Sequence, residues 1–198
     1  MYIAPQIRGT ILSGSPKVYD ELTSRDLDPN SVDDKIIIYE RQVKGWFLDV
    51  ADRLKNEEDS GFVVLNIGVS CLEGIQKNIE GITKKKREKK INGSKKVFVR
   101  GLRRIFNLTE DDDLLEEFYE QVRCGLFHDG MTKGKVIINR TWGNVIDFSD
   151  PDAIKINPKK FIDIIIKDFS NYIIDLRDVS KNDLRRKFDC TFTNINPE

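Results

Sequence analysis

The chain has 198 residues, 39% hydrophobic and 33% charged, with 33 basic and 33 acidic side chains and a formal net charge of zero. That length allows one sizeable domain with modest appendages, and the composition is that of a globular protein with a heavily charged surface, not of a disordered or membrane-embedded chain. Zero net charge excludes an overall field that would collect polyanions, so any attraction to them must come from local clusters.

Residues 1–33 contain Pro5, Pro16 and Pro29 and show weak periodicity, so they read as an irregular N-terminal leader, packed on the body or partly mobile. Met1 to Ser15 has no uninterrupted apolar core or small-residue cleavage site of the secretory type, and the expected location is the cytoplasm. From Asp34 to about Glu57, Ile37, Val43, Phe47, Val50 and Leu54 recur at helical spacing behind a capping Asp33 or Asp34. Asp59-Ser60-Gly61 interrupts the chain, and Phe62 to Ile79 follows as a helix apolar on most sides, hence central. Asn66, Glu73 and Gln76 break that run, which therefore falls short of a bilayer span, and no membrane partner is expected.

Lys84 to Arg104 holds eleven basic residues against Glu88 alone. Gly81 and the lysine-rich stretch to Gly93-Ser94 form a break or loop, and Lys95 to Phe106 forms a shorter helix with Val97, Leu102 and Ile105 inward. Lys84, Lys85, Lys86, Arg87, Lys95, Lys96, Arg100, Arg103 and Arg104 are candidates for an RNA phosphate track; the plain alternative is a solvated face. Thr109 and the acids Glu110 to Asp113 mark a helix start, and the helix runs to about His128 on the stripe Leu114, Leu115, Phe118, Val122 and Leu126. Lys135–Asn139 and Ala153–Ile156 are short β-like segments that suggest a small hairpin. Asn157-Pro158 then caps and opens a long helix with the stripe Phe161, Ile162, Ile165, Phe169, Tyr172, Ile173 and Leu176, and the tail after Ser180 carries no clear pattern.

Cys71, Cys124 and Cys190 are odd in number and widely spaced, so neither a disulfide framework nor a zinc site is expected. Trp46 and Trp142 read as core or rim residues, and Asp111 to Asp113 as helix-capping acids. The sole histidine, His128, follows Arg123 by five residues. An unperturbed imidazole titrates near pH 6.5 and suits a general base, while a guanidinium meets phosphate with paired hydrogen bonds. On a regular α-helix five residues span about 500°, which leaves the two side chains roughly 140° apart. They converge only if the helix loosens or a second subunit completes the site. The plain alternatives are that His128 caps its helix and that Arg123 pairs with Glu117, with Glu120 or with the acidic patch.

The run Phe118-Tyr119-Glu120-Gln121-Val122-Arg123-Cys124-Gly125-Leu126-Phe127-His128 resembles the RxxxxH signature of the HEPN superfamily. The resemblance implies a mainly α fold: a bundle of four to five helices over residues 34–180, with a short β-hairpin-like excursion between the motif helix and the last long helix, and residues 181–198 as a tail. It further implies a homodimer that cleaves RNA through its own 2′-hydroxyl without metal or cofactor, as toxins and defence effectors do. Arg123 and His128 would be catalytic, with Glu120, Cys124 and Asp129 as supporting residues, and Gly125 would permit close approach at the dimer seam. The family's active ribonucleases often have a polar residue where this chain has Cys124. A second reading therefore stands beside the first: a silent module that binds RNA, a nucleotide or a regulatory protein partner.

Overall fold

The computed structural model describes residues 1–12, 15–83 and 93–192. It corrects the expectation of a mainly α, HEPN-like bundle, because the molecule is mixed α/β, with a four-stranded antiparallel sheet and a three-stranded mixed sheet beside its helices.

The residues read as an irregular leader form the first sheet. Strands β1 (Tyr2–Ala4), β2 (Ile7–Leu12), β3 (Ser15–Asp20) and β4 (Arg25–Leu27) pair in sequence order as an antiparallel meander. The prolines punctuate it. Pro5 and Gln6 make the first turn, Gln6 taking φ 60°, and Pro16 sits at the start of β3 opposite Ile11. Ile3, Ala4, Ile7, Val18 and Leu27 are buried and join the same apolar core as the helices. So few apolar positions, spread over four short strands, leave no legible period.

Asp20 locks this sheet to the helical layer. Its buried carboxylate accepts from the Leu22 amide, the Thr23 hydroxyl and both Nη groups of Arg41, at 2.5 and 2.8 Å. Arg41 lies on α1 (Val32–Val43), which Ser31 caps in place of the expected aspartates. Asp34 instead accepts from Arg25 and from the Asp28 amide. The chain continues through a π-helical turn at Lys44–Leu48, where Gly45 packs against the Pro5 ring, into α2 (Asp49–Leu54).

Helix α3 (Gly61–Glu80) is the central element, flanked by α4 (Ser94–Phe106), α6 (Pro158–Arg177) and α7 (Asn182–Thr191). Asn157 caps α6 through Lys160 N, and the whole expected stripe from Phe161 to Leu176 is buried. The region read as a patternless tail holds α7, whose Phe188 packs on Tyr39 with ring centroids 5.3 Å apart. None of the described helices is long and apolar enough to cross a membrane.

Helix α5 (Asp112–Phe118), capped by Asp111 in place of Thr109, passes without a break into a π-helix at Tyr119–Asp129. Beyond it, β5 (Val136–Ile138), β6 (Ile146–Asp150) and β7 (Ala153–Ile156) form the second sheet in the order β5-β7-β6. The expected hairpin between β5 and β7 is thus corrected to a parallel pair, with β6 antiparallel to β7 on its other side. The connection that carries β6 lets the chain re-enter in the same direction, which a tight turn cannot do.

Candidate functional site

The RxxxxH segment lies in the π-helix. Hydrogen bonds from i to i+5 widen each turn, so residues five apart stack more nearly on one side than an α-helix allows. Arg123 and His128 have that separation. Phe127 links them: its ring centroid is 4.7 Å from the Arg123 guanidinium carbon and 5.2 Å from the His128 ring, edge to face. Phe127 is 63% exposed and His128 is exposed beside it. The Tyr119 ring contributes a second aromatic contact to Arg123, at 5.6 Å.

Arg123 does not pair with Glu117 or Glu120. Glu117 binds Lys135 and Glu120 binds Lys95, each at 2.8 Å. Arg123 Nε instead donates to Glu73 Oε2 at 3.0 Å, across 50 residues of sequence. The Glu73 side chain is only 4% exposed and also pairs with Lys77. Burial alone would raise its pKa, but the Lys77 hydrogen bond and the charges of Lys77 and Arg123 outweigh that and hold the carboxyl below its ordinary range. Nη1 and Nη2 of Arg123 make no hydrogen bond with described residues, which leaves a fork of donors on a braced guanidinium.

Glu73 and Phe127 are the residues that motif reading passed over. A carboxylate inside a helix otherwise apolar on most sides is the available signal for the first, since a buried charge requires partners. Nothing in the sequence separates Phe127 from a core aromatic.

The supporting candidates divide. Cys124 is half-buried beside the side chains of Tyr119 and Glu120, while burial pushes the Tyr119 hydroxyl up to about 12. The hydrogen bond from Lys95 lowers the Glu120 pKa. Asp129 is exposed and forms no ion pair among the described residues. Gly125 does permit a close backbone approach, but within one chain: a side-chain carbon there would stand 2.6 Å from the Met131 carbonyl oxygen and 3.0 Å from Lys133 N. The chain leaving the π-helix folds back against it at this point, and Lys133 N donates to the Gln121 carbonyl at 2.9 Å.

On α4 every basic candidate has an acidic partner. Lys95 and Lys96 both meet Glu116, Arg100 grips Glu80, Arg103 meets Asp112 at 2.9 Å, and Arg104 binds both oxygens of Asp168 at 2.6 and 2.8 Å. This compensation weakens the field that α4 offers a polyanion. Lys84, Lys85, Lys86 and Arg87 lie outside the described residues. No group of three or more His, Cys, Asp or Glu among the described residues is placed to hold a metal ion, and Asp111 serves as a helix cap. All three cysteines are free.

No family model, curated protein or solved structure matches the chain.

Proposed function

We propose that the chain is a metal-independent endoribonuclease of the RxxxxH type, acting in the cytoplasm as a homodimer. One observation carries this reading: Arg123, braced by a buried carboxylate, and the exposed His128 both touch an exposed phenylalanine on one π-helical surface. A phosphodiester flanked by a nucleobase needs those three chemistries, a fork of donors for phosphate, an imidazole for the 2′-hydroxyl and a ring for stacking. His128 takes the 2′-hydroxyl proton, the oxygen attacks the neighbouring phosphorus, and the bond to the 5′-oxygen breaks. The leaving oxygen takes its proton from His128 of a second copy. The Arg123 fork stabilises the charge that builds on the phosphoryl oxygens.

The test is His128→Ala. The ring is exposed and makes no hydrogen bond to described residues, so folding stability should change by no more than about 0.5 kcal/mol. Cleavage of bulk RNA should cease in the variant and should persist in EDTA for the unaltered protein. Cleavage by the variant, or a requirement for magnesium, removes the proposal.

The Glu73–Arg123 ion pair favours a second reading, in which RNA is held without being cut. A carboxylate already bonded to the guanidinium offsets part of the charge that a transition state would use, and Cys124 stands where active relatives of the motif often carry a polar group. On this reading the pure protein leaves RNA intact but binds it in a salt-sensitive manner that Arg123→Ala abolishes.

A further inference from the structure

Trp142 stands at the rim of the molecule, outside the buried apolar cluster. Its half-buried side chain lines a cavity of about 310 Å³ with Gly143, Asn144, Asp147 and Lys155, a volume at the lower end of small-molecule sites. Strand register places this cavity on the outer face of the second sheet. Asp147, Lys155 and Ile137 lie opposite one another across β6, β7 and β5, and Ile137 is 47% exposed. Phe148, the next residue along β6, points the other way and packs on Phe118 of α5 with ring centroids 6.0 Å apart. The sheet thus turns its inner face to the helix that leads into the RxxxxH segment and its outer face to the cavity.

The start of α6 fixes the loop that carries the indole. The buried Asn157 side chain donates to the Arg140 and Trp142 carbonyls at 2.9 and 2.8 Å, and its backbone amide donates to the Val145 carbonyl at 2.8 Å. Lys160 Nζ donates to the Gly143 carbonyl at 2.5 Å. A ligand therefore meets a loop that is already ordered, which lowers the entropic cost of binding.

Asp147 forms no ion pair among the described residues. The Ser149 amide donates to its Oδ1 at 2.9 Å and so orients the carboxylate, with the Asn144 side chain beside it. Lys155 faces Asp147 across the strands but pairs with Asp150 at 3.2 Å, so recognition in the cavity falls to the carboxylate and the indole. A carboxylate has about four acceptor sites, enough for two further donors beyond the backbone amide. An aromatic plane beside an oriented carboxylate selects a flat ligand with two adjacent N–H donors on one edge. Among the common nucleobases only guanine has that edge, in N1–H and N2–H; adenine, cytosine and uracil set an acceptor next to each donor.

We propose that this cavity receives a guanine base, stacked on the Trp142 indole and donating N1–H and N2–H to Asp147. As a subsite for RNA it rests on the ribonuclease reading, whereas the guanine chemistry is the same in a strand and in a free nucleotide.

The chain has two tryptophans, so in a Trp46→Phe protein the fluorescence of Trp142 alone reports stacking. Guanosine monophosphate should quench it saturably and bind at least about tenfold more tightly than adenosine monophosphate, while ribose 5-phosphate should leave it unchanged. Asp147→Asn in the same background puts a donor where guanine needs an acceptor, and should remove the preference for guanosine monophosphate without weakening the adenosine nucleotide. Trp142→Ala, with an unaltered circular dichroism spectrum, should bind neither nucleotide in calorimetry. A uridine hexamer with one internal guanosine separates the two sources of the base: tighter binding than the free nucleotide assigns the site to an RNA strand, and equal binding assigns it to the nucleotide. None of these measurements needs cleavage, so they stand if the ribonuclease reading fails. Equal affinity for the two nucleotides, a guanine preference that survives Asp147→Asn, or no saturable quenching at millimolar guanosine monophosphate would overturn the assignment.

Discussion

At Glu73 a carboxylate sits inside the central helix with a lysine one turn away and an arginine from the motif segment against it. Its pKa is depressed in the folded chain, so it contributes stability above its unfolded pKa, and that contribution is lost as pH falls through the lower folded value. Glu73→Gln leaves Lys77 and Arg123 facing a neutral amide, and breaking a buried pair in this way costs about 3 kcal/mol. Urea unfolding at neutral pH should show that loss, and the difference from the unaltered protein should shrink in acid, where the native carboxyl is itself protonated. Equal stability at neutral pH would mean that Glu73 is not the brace. The same substitution separates the two functional readings. If Glu73 restrains a phosphate-binding guanidinium, RNA should bind the variant more tightly. If Glu73 positions Arg123 for chemistry, cleavage should fall without a matching loss of binding.

The π-helix is the element on which the site depends, and Gly125 is where its geometry meets the rest of the chain. Alanine normally stabilises a helix interior relative to glycine by about 1 kcal/mol. Here the added carbon would collide with the backbone of Met131 and Lys133, which cannot rotate away as a side chain does. Gly125→Ala should therefore destabilise the protein by about 1–3 kcal/mol, the usual cost of overpacking, read as a lower thermal midpoint. A rise in the midpoint would show that the contact is not tight. In sequence this glycine suggested a dimer seam; the fold uses its missing side chain within one chain, and a homodimer must find its contacts elsewhere, with the exposed Phe127 and Met131 beside the motif the nearest apolar surface.

At the scale of the whole molecule, the N-terminal sheet and the helices share one core. Ile7, Val18 and Leu27 belong to the same buried cluster as Ile36, Ile38 and Phe188, and the sheet supplies the buried Asp20 to the half-buried Arg41. Removal of residues 1–30 would expose that side of α1 and leave Arg41 without its carboxylate. The truncated protein should lose its cooperative unfolding transition, as followed by near-ultraviolet circular dichroism during a thermal scan. An unchanged midpoint would mean that the sheet is an appendage. Since a mobile leader would tolerate this deletion, the experiment also separates that alternative from the observed fold.

The sequence by itself determined the helices with long apolar stripes, the Asn157-Pro158 start of α6 and the placement of Arg123 and His128 five residues apart near a helix end. These are local properties, set by periodicity and capping over a few turns. Tertiary structure decided the four-stranded meander, the parallel pairing of β5 with β7, the helix at 182–191 and the π-helical winding that places Phe127 against both motif residues. It also chose Glu73 over Glu117 and Glu120 as the partner of Arg123. The physical reason is common to all of these: strand pairing, compensation of a buried charge and a backbone contact at a glycine each join residues apart along the chain, and local sequence pattern does not encode which separated groups will meet.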